Sequence, residues 1–257
     1  DNSDFSIMSY TDVKTLVLEF DYNSSTQAIN VVYAQGALSD SFALFDVAAL
    51  QAIYGLNLSY ALGNDTYSVS FDDKEHLTIW DAGGLDTINV SAAAGDSTID
   101  LRAGTHSSVD VRSIEDQIAV TLSWLDSENA PNYTDWVTSV YNNNADSVYT
   151  GENNLAIAYG VWIENVITGV GDDVVRDNAV NNSISTGAGN DIVKLVDGGY
   201  DSVDGGIGYD VLQVNEASSA VAVTQSGSGY VLIGESFSAE IVGIETISFS
   251  DMSMSLV

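Results

Sequence analysis

The chain has 257 residues, enough for one large domain or two small ones. It carries 37 acidic residues against 6 basic ones, and the net charge of −31 excludes nucleic acid and anionic membranes as electrostatic partners. The sequence has no cysteine and no apolar run as long as a membrane span, so disulfide frameworks, thiol chemistry and spanning helices are excluded. The mutual repulsion of the acidic residues is expected to require neutralising cations in the folded chain. A salt-rich habitat that selects acidic surfaces is an alternative explanation of the charge.

The first 60 residues contain the clearest helix pattern. Strands are predicted over Leu16–Tyr22 and Ala28–Tyr33, and a helix over Ser39–Gly55. Ser41 is the candidate N-cap and Gly55 the candidate stop. The apolar positions at helical spacing are Phe42, Phe45, Ala49 and Ile53.

Residues 168–213 repeat a nine-residue pattern of Gly-x-Gly-x-Asp, one further residue and an aliphatic. Its acidic or amide positions are Asp173, Asn182, Asp191, Asp201 and Asp210. The pattern matches the calcium-binding repeat of RTX proteins, in which a Gly-rich turn precedes a short strand of a parallel β-roll. A flexible Gly/Asn/Asp-rich linker is the alternative, but the aliphatic residues recur in phase in all five repeats and argue against it.

Calcium takes about 6–8 oxygen ligands, so two turns that lie two repeats apart are expected to complete one site. The predicted pairs are Gly169–Asp173 with Gly187–Asp191, Asn178–Asn182 with Asp197–Asp201, and Gly187–Asp191 with Gly206–Asp210. The predicted ligands are Gly169, Gly171, Asp173, Asn178, Asn182, Gly187, Gly189, Asp191, Asp197, Asp201, Gly206, Gly208 and Asp210. The second pair is the weakest, because Asn182 replaces the usual aspartate and the fourth repeat has an extra residue.

The segment SIMSY at 6–10, the helix sequence FALFDVAALQAIYG and the repeats together resemble the serralysin-type zinc metallopeptidases. In that family SIMSY is the Met-turn and the helix closes the catalytic domain. The resemblance implies that Met8 lies beneath a zinc ion and that Tyr10 is an additional zinc ligand.

The family's zinc motif, HExxHxxGxxH, lies upstream of the Met-turn and is absent from this sequence, whose two histidines are His76 and His106. The chain alone is therefore expected to be catalytically inactive. It is expected to contact zinc only where a missing N-terminal portion is present. We expect a cut or incomplete protease, with residues 1–60 left from the catalytic domain and 61–257 forming the calcium-binding domain. A non-catalytic descendant is the alternative.

Residues 61–111 resemble the first calcium-binding segment of the family's C-terminal domain. The resemblance implies ligands at Leu62, Asn64, Thr66, Asp81, Gly83 and Asp86, the two aspartates through their side chains and the others through carbonyl oxygens. Residues 112–156 depart from the family as an insertion, in which Asp116–Leu125 alternates like a strand or a short helix. The insertion is either a loop that covers the roll edge, which we favour, or a protein- or glycan-binding surface.

After the repeats, strands predicted over Ala220–Thr224, Gly229–Gly234 and Glu240–Phe249 are expected to cap the roll in antiparallel pairing. The tail after Asp251 resembles signals read by type I export machinery. The expected fold is mainly β, an RTX parallel β-roll or β-sandwich with capping antiparallel strands and one N-terminal α-helix. The expected function is a secreted, extracellular module whose calcium-driven folding supports export; a non-enzymatic extracellular structural or adhesion protein is the alternative.

Overall fold

The computed structural model describes residues 15–35 and 42–256. In chain order its strands and helices are β1 (Leu16–Asn23), β2 (Ala28–Gln35), α1 (Leu44–Tyr54), β3 (Thr66–Tyr67), β4 (Leu77–Ile79), β5 (Thr87–Asn89), β6 (Asp96–Asp100), β7 (His106–Val111), α2 (Ile114–Ser127), α3 (Thr134–Asn144), β8 (Leu155–Ile157), β9 (Asn165–Ile167), β10 (Val174–Arg176), β11 (Ser183–Ser185), β12 (Ile192–Leu195), β13 (Gly199–Asp204), β14 (Val211–Val214), β15 (Ala222–Ser226), β16 (Gly229–Ile233), β17 (Phe237–Val242), β18 (Thr246–Ser248) and β19 (Ser253–Ser255). The fold is mainly β, as predicted. None of the helices in these described ranges is long and apolar enough to cross a membrane.

Two large sheets form the roll, and the chain alternates between them. One sheet has nine strands in the order β19-β18-β14-β12-β10-β6-β7-β8-β4, and the other has eight in the order β15-β16-β17-β13-β11-β9-β5-β3. Within each sheet the strands of every other repeat pair in parallel. For example, Val174 lies opposite Ile192, and Ile192 lies opposite Val211. The predicted parallel β-roll is therefore confirmed, with two repeats making one complete turn.

The roll interior is filled by the aliphatic residue of each short strand. Val175, Val193 and Leu212 are fully buried in one sheet, and Ile184 and Val203 are buried in the other. These residues belong to one continuous hydrophobic core. Because side chains alternate across a strand, the neighbouring aliphatic residues Val174, Ile192 and Val211 point away from this core and are half-buried.

The C-terminal end differs in part from the predicted antiparallel cap. Strands β15, β16 and β17 do pair antiparallel, and β19 pairs antiparallel with β18. However, the segment predicted as one strand over Glu240–Phe249 is divided at Gly243, which has φ +63°. Its two parts, β17 and β18, continue the roll in parallel with β13 and β14, so the roll extends one turn beyond the repeats.

The helix α1 is shorter than predicted and buries a different face. It begins at Leu44 and ends before Gly55, whose N–H donates to the Gln51 carbonyl at 2.8 Å, so the predicted stop is confirmed. The predicted cap, Ser41, lies outside the described residues. The predicted apolar positions Phe42, Phe45, Ala49 and Ile53 are exposed, while Leu44 and Val47 are buried. The helix therefore leaves an aromatic and aliphatic face uncovered within the described structure.

The insertion is helical and has its own core, which corrects the expectation of a single helix in the chain. Ser113 caps α2, since its hydroxyl accepts the Asp116 N–H at 3.1 Å. The helices α2 and α3 contribute the buried side chains Leu125, Val137 and Tyr141 to a second hydrophobic cluster. The β1–β2 hairpin packs on the same cluster, so the insertion covers that hairpin and does not act as a loop.

Candidate metal centre

The turns of the roll lie along two edges. The first edge consists of the turns that precede β10, β12 and β14 and end at Asp173, Asp191 and Asp210. The second edge consists of the turns that precede β3, β5, β9, β11 and β13. Each edge stacks every other repeat, because consecutive repeats belong to opposite sheets.

On the first edge the aspartates form a carboxylate ladder. The backbone N–H of Asp173 donates to Asp191 Oδ1 at 2.8 Å, and that of Asp191 donates to Asp210 Oδ1 at 2.9 Å. The ladder continues at both ends, where Asp173 Oδ1 accepts the Ser97 N–H at 2.6 Å and Glu245 Oε2 accepts the Asp210 N–H at 2.7 Å. Turns two repeats apart are thus neighbours on this edge, which the predicted calcium pairs require.

The ladder uses only one oxygen of each aspartate. The second carboxylate oxygen is buried and has no hydrogen-bond partner among the described residues at Asp173, Asp191 and Asp210 of the ladder, and the same is true of Asp86 and Asp201 on the second edge. Burial of an ionised oxygen without a partner costs several kcal/mol by order of magnitude. A row of such oxygens therefore has the chemistry of a hard-cation site.

The threonine hydroxyls beside the ladder do not satisfy these oxygens. Thr168 Oγ1 donates to the Thr186 carbonyl at 2.8 Å, and Thr186 Oγ1 donates to the Gly205 carbonyl at 2.9 Å. Each hydroxyl has a single proton to donate, so the carboxylates gain no donor from them.

Glycines let the first-edge turns approach one another closely. Gly189 and Gly208 have φ of +139° and +150°, a region that other residues rarely adopt. A Cβ on Gly189 would lie 2.1 Å from the Gly171 carbonyl oxygen, and one on Gly208 would lie 1.6 Å from the Gly189 carbonyl oxygen. The same close contact with a backbone carbonyl occurs at Gly169, Gly171, Gly187 and Gly206. The predicted glycine ligands therefore stack their backbones in the turn layers.

A second acidic group lies at the start of the second edge. Carboxylate oxygens of Asp65, Asp81 and Asp86 lie within 4.8 Å of one another. Asp86 Oδ1 accepts the Asp65 N–H at 2.8 Å, and Asp81 Oδ1 accepts the Gly83 N–H at 2.7 Å. Tyr67 donates its hydroxyl to Asp81 Oδ2 at 2.6 Å. Three carboxylates around one point fit a divalent cation.

The remaining residues of this predicted segment lie around that group. Asn64 uses its side-chain oxygen to accept the Leu85 N–H at 3.0 Å, Leu62 is exposed, and Thr66 begins β3. The structure also adds Asp65, which the sequence reasoning missed. Its signal was present, because Gly-Asn-Asp at 63–65 repeats the Gly-Asn-Asp at 189–191.

The turn with Asn178 and Asn182 is built differently. Asn178 donates its amide to the carbonyls of Leu101 and Ile163 at 3.0 and 2.8 Å. Asp201 Oδ1 accepts the Asn182 N–H at 2.8 Å. Asp197, the fourth predicted member of this pair, is ion-paired with Arg176 at 3.0 Å.

In the metal-free protein, burial disfavours ionisation of the carboxyl groups of the ladder and of Asp86 and Asp201 on the second edge. It raises the pKa of Asp173 and Asp210 to about 6 and the pKa of Asp201 to about 7, from an ordinary value of 3.8. Burial also raises the pKa of Asp86 and Asp191. A bound cation would favour the ionised form and so bind most tightly when these protons are gone.

Two acidic residues that extend these rows were not predicted. Glu245 accepts from Asp210 on the first edge, and Glu164 Oε2 accepts the Asp86 N–H at 2.8 Å on the second. Neither follows a Gly-x-Gly turn, so the repeat pattern carried no signal for them. Met8 and Tyr10, the residues expected near zinc, lie outside the described residues. Within the described ranges, no histidine joins a group of potential metal ligands.

Comparison with known proteins shows which proteins the chain is similar to. Residues 43–130 match the family model "Peptidase M10 serralysin C terminal". Serralysin from Proteus mirabilis is 26% identical over 72% of this chain and 29% of its own length, and serralysin B from Dickeya chrysanthemi is 28% identical over 68% and 28%. Serralysin G from Dickeya chrysanthemi is 31% identical over 54% of this chain and 24% of its own length.

The chain thus spans less than a third of the length of these curated relatives. A solved structure, the extracellular lipase LipA from Serratia marcescens, matches 46% of this chain and 22% of its own with 16% identity and a TM-score of 0.32, too low to show a shared fold. The family match and the relatives confirm the resemblance found in the motifs. The chain is therefore similar to the C-terminal part of serralysin-type proteins.

Proposed function

We propose that this chain is the calcium-binding RTX β-roll module of a secreted, serralysin-like zinc metalloendopeptidase, and that calcium drives its folding outside the cell. The observation that carries the proposal is the carboxylate ladder. The second carboxylate oxygen of each of its aspartates is buried and has no hydrogen-bond donor among the described residues. Within it, Asp173, Asp191 and Asp210 supply carboxylate ligands, and carbonyl oxygens of the glycine turns complete the shell. Asp65, Asp81 and Asp86 hold a further ion.

The charge of the chain supports calcium as the missing partner. The net charge is −31, and the ladder buries several acidic side chains next to one another along the first edge. Each calcium ion adds two positive charges where the carboxylates meet. Calcium also accepts 6–8 oxygens in irregular geometry at about 2.3–2.6 Å, which suits a mixture of carboxylates and carbonyls.

The same physics gives the domain a role in export. At low calcium the acidic roll repels itself and the chain stays unfolded, a form that passes through an export channel. Extracellular calcium-binding modules work at about 10⁻⁴–10⁻³ M, so folding follows release from the cell. Binding to the folded state alone stabilises it by about 2.7 kcal/mol at a hundredfold excess over Kd.

The test is a calcium titration of the purified chain. We expect chelation to remove far-UV β signal and to lower the Tm sharply, and calcium to restore both. Magnesium is the matched control ion, because it demands octahedral geometry at about 2.0–2.1 Å and keeps its waters. An unchanged Tm in chelator would refute the proposal.

We further propose that an N-terminal protease portion covers the exposed face of α1 and the segment after it, with residues 1–60 belonging to that portion and 61–257 to the calcium domain. Phe42, Phe45, Ile53 and Tyr54 are each at least 42% exposed. Leu56, Leu58, Tyr60 and Leu62 extend the apolar surface. Any zinc would be held by that portion, with Met8 and Tyr10 beside it. The intact mass and zinc content of the natively secreted protein test this: a mature chain that starts at Asp1 and carries no zinc would contradict it.

The alternative of a non-enzymatic adhesion protein rests on the insertion. Trp136 is 38% exposed and forms a shallow pocket with Asn132, Tyr133 and Asp135. An aromatic face beside amide and carboxylate groups suits a glycan or a protein partner. Binding to a glycan array that is lost in Trp136→Ala, with the Tm unchanged, would favour this function, and its absence would leave the insertion as a cover for the β1–β2 hairpin.

A further inference from the structure

The turn at 177–182 on the second edge differs from the other RTX turns in what lies between its layers. Asn178 donates its amide group to the carbonyl oxygens of Leu101 and Ile163 at 3.0 and 2.8 Å. Asn182 donates its own amide group to the carbonyls of Ile163 and Glu164 at 3.2 and 3.3 Å. Backbone carbonyls in this position are the oxygens that a calcium ion would need, and here amide protons already occupy them.

The oxygens of the two asparagine side chains are also in use. Asn182 Oδ1 accepts the Asn178 N–H at 3.1 Å, and Asn178 Oδ1 accepts the Val180 N–H at 3.1 Å. Both side chains are at least 97% buried, so neither turns outward to solvent. The pair closes the layer with neutral groups that satisfy one another.

The carboxylates near this turn are matched by protein donors. Asp177 is fully buried, and its carboxylate accepts the N–H groups of Val196 and Asp197 at 2.9–3.2 Å. Asp197 accepts both Nε and Nη2 of Arg176, at 3.1 and 3.0 Å. Arg102 pairs with Asp100 nearby at 2.6 Å. The hydrogen bond to Asp100, together with the negative charges of Asp100, Asp197 and Asp177, raises the pKa of Arg102.

The backbone of this turn also differs from that of the two later turns of the first edge. In the turns at 187–191 and 206–210 the two glycines have φ between +83° and +150°. No residue of 178–182, all of them described, has a positive φ. The sequence NAVNN at 178–182 occupies the place of GAGND at 187–191, with both glycines and the aspartate replaced. Asp201 alone retains a buried oxygen without a donor.

We infer that the Asn178–Asn182 turn of the second edge excludes calcium and is closed by its own amides and by arginine pairs, whereas cations bind along the first edge and at Asp65, Asp81 and Asp86. The inference rests on the proposed calcium function. It removes Asn178, Asn182 and Asp197 from the set of predicted ligands, because their donors and acceptors are committed to the protein. Two of the chain's three arginines lie at this edge of a strongly acidic protein, where they supply positive charge that needs no metal.

The direct test is the structure of the unaltered chain crystallised with terbium in place of calcium, read from anomalous difference density. We expect peaks on the first edge beside Asp173, Asp191 and Asp210, and none within about 2.6 Å of the side-chain oxygens of Asn178 or Asn182. A peak at the asparagine turn together with first-edge peaks would overturn this inference and leave the calcium function intact. The absence of peaks on both edges would overturn the calcium function as well.

A designed variant tests the cause. The substitutions Asn178→Gly, Val180→Gly and Asn182→Asp convert NAVNN into the GAGND of the following first-edge turn. We expect the variant to bind about one more calcium ion than the parent chain in equilibrium dialysis. Asp126→Asn, on the exposed side of α2, is the control and leaves the number unchanged. A folded variant with the parent's calcium content would show that these side chains do not exclude the ion.

Discussion

Replacement of Asp173 by asparagine is expected to have opposite effects with and without calcium. Asp173 is fully buried; its Oδ1 accepts the Ser97 N–H at 2.6 Å, and its Oδ2 has no donor among the described residues. Asparagine has the same shape and keeps the oxygen that accepts this hydrogen bond, while it removes the charge. The substitution therefore tests the electrostatics of the ladder with little change in packing.

The size of the effect follows from the pKa of Asp173. Burial raises it from 3.8 to about 6. A folded pKa above the unfolded one means that ionisation destabilises the folded state, by about 1.4 kcal/mol for each unit. At neutral pH the metal-free Asp173→Asn protein should gain up to about 3 kcal/mol, which for a chain of this size is a rise of about 6–12 °C in Tm. With calcium, the lost carboxylate ligand should weaken binding on the order of tenfold or more.

The assay is thermal unfolding by circular dichroism in chelator and in saturating calcium, with the same concentration of trimethylamine N-oxide in both, so that the metal-free chain is folded at the start of the scan. The expected result is a higher Tm in chelator and a smaller gain on calcium addition. Asp126→Asn is the control, because it makes the same chemical change on an exposed helix surface. If Asp173→Asn lowered the Tm in chelator, or left the calcium-induced gain at the parent's value, the ladder would not be a cation site.

Three further predictions concern backbone, packing and pH. Gly189→Ala should cost at least about 3 kcal/mol, because the Cβ meets a carbonyl oxygen at 2.1 Å; Gly227→Ala, with φ +60° and open space, should cost about 1–2 kcal/mol in urea unfolding. Leu125→Ala should lower the free energy of unfolding by about 2–5 kcal/mol without changing the amount of bound calcium. Val120→Ala, on the exposed face of the same helix, should lower it by less than about 0.5 kcal/mol. A loss of bound calcium in Leu125→Ala would contradict the separation of the two hydrophobic cores. In chelator with the same osmolyte, the free energy of unfolding should fall as pH rises from about 4 to about 7, because the buried carboxyls have raised pKa values. With calcium the trend should reverse, since protons compete with the ion; a flat profile in chelator would contradict the raised pKa values.

The parts of the fold that the sequence predicted well are those with a short repeat. The spacing of Asp173, Asp191 and Asp210 follows the parallel register of β10, β12 and β14, because one turn of the roll uses two repeats. The glycines that permit positive φ are visible in the sequence for the same reason. The strands predicted over Leu16–Tyr22 and Ala28–Tyr33 also agree with β1 and β2.

Other features depended on contacts distant in sequence. The alternation in Asp116–Leu125 suits a strand or a helix, and only the cap Ser113-x-x-Asp116 favoured the helix that the structure shows. Helical spacing in α1 does not determine which face of the helix is buried. The structure buries Leu44 and Val47, and Val47 belongs to the hydrophobic core of the roll. Glu245 joins the ladder through the register of β18, which no local pattern displays.

The claim at the centre of this account is that the buried carboxylates of the roll are calcium ligands. The most direct measurement is the calcium content of the folded chain by elemental analysis after dialysis against calcium at about 1 mM, the upper range for extracellular modules. The account predicts more than one bound ion per chain, lost together with the β signal when a chelator is added. A chain that keeps its fold and its Tm while it binds no calcium would contradict it.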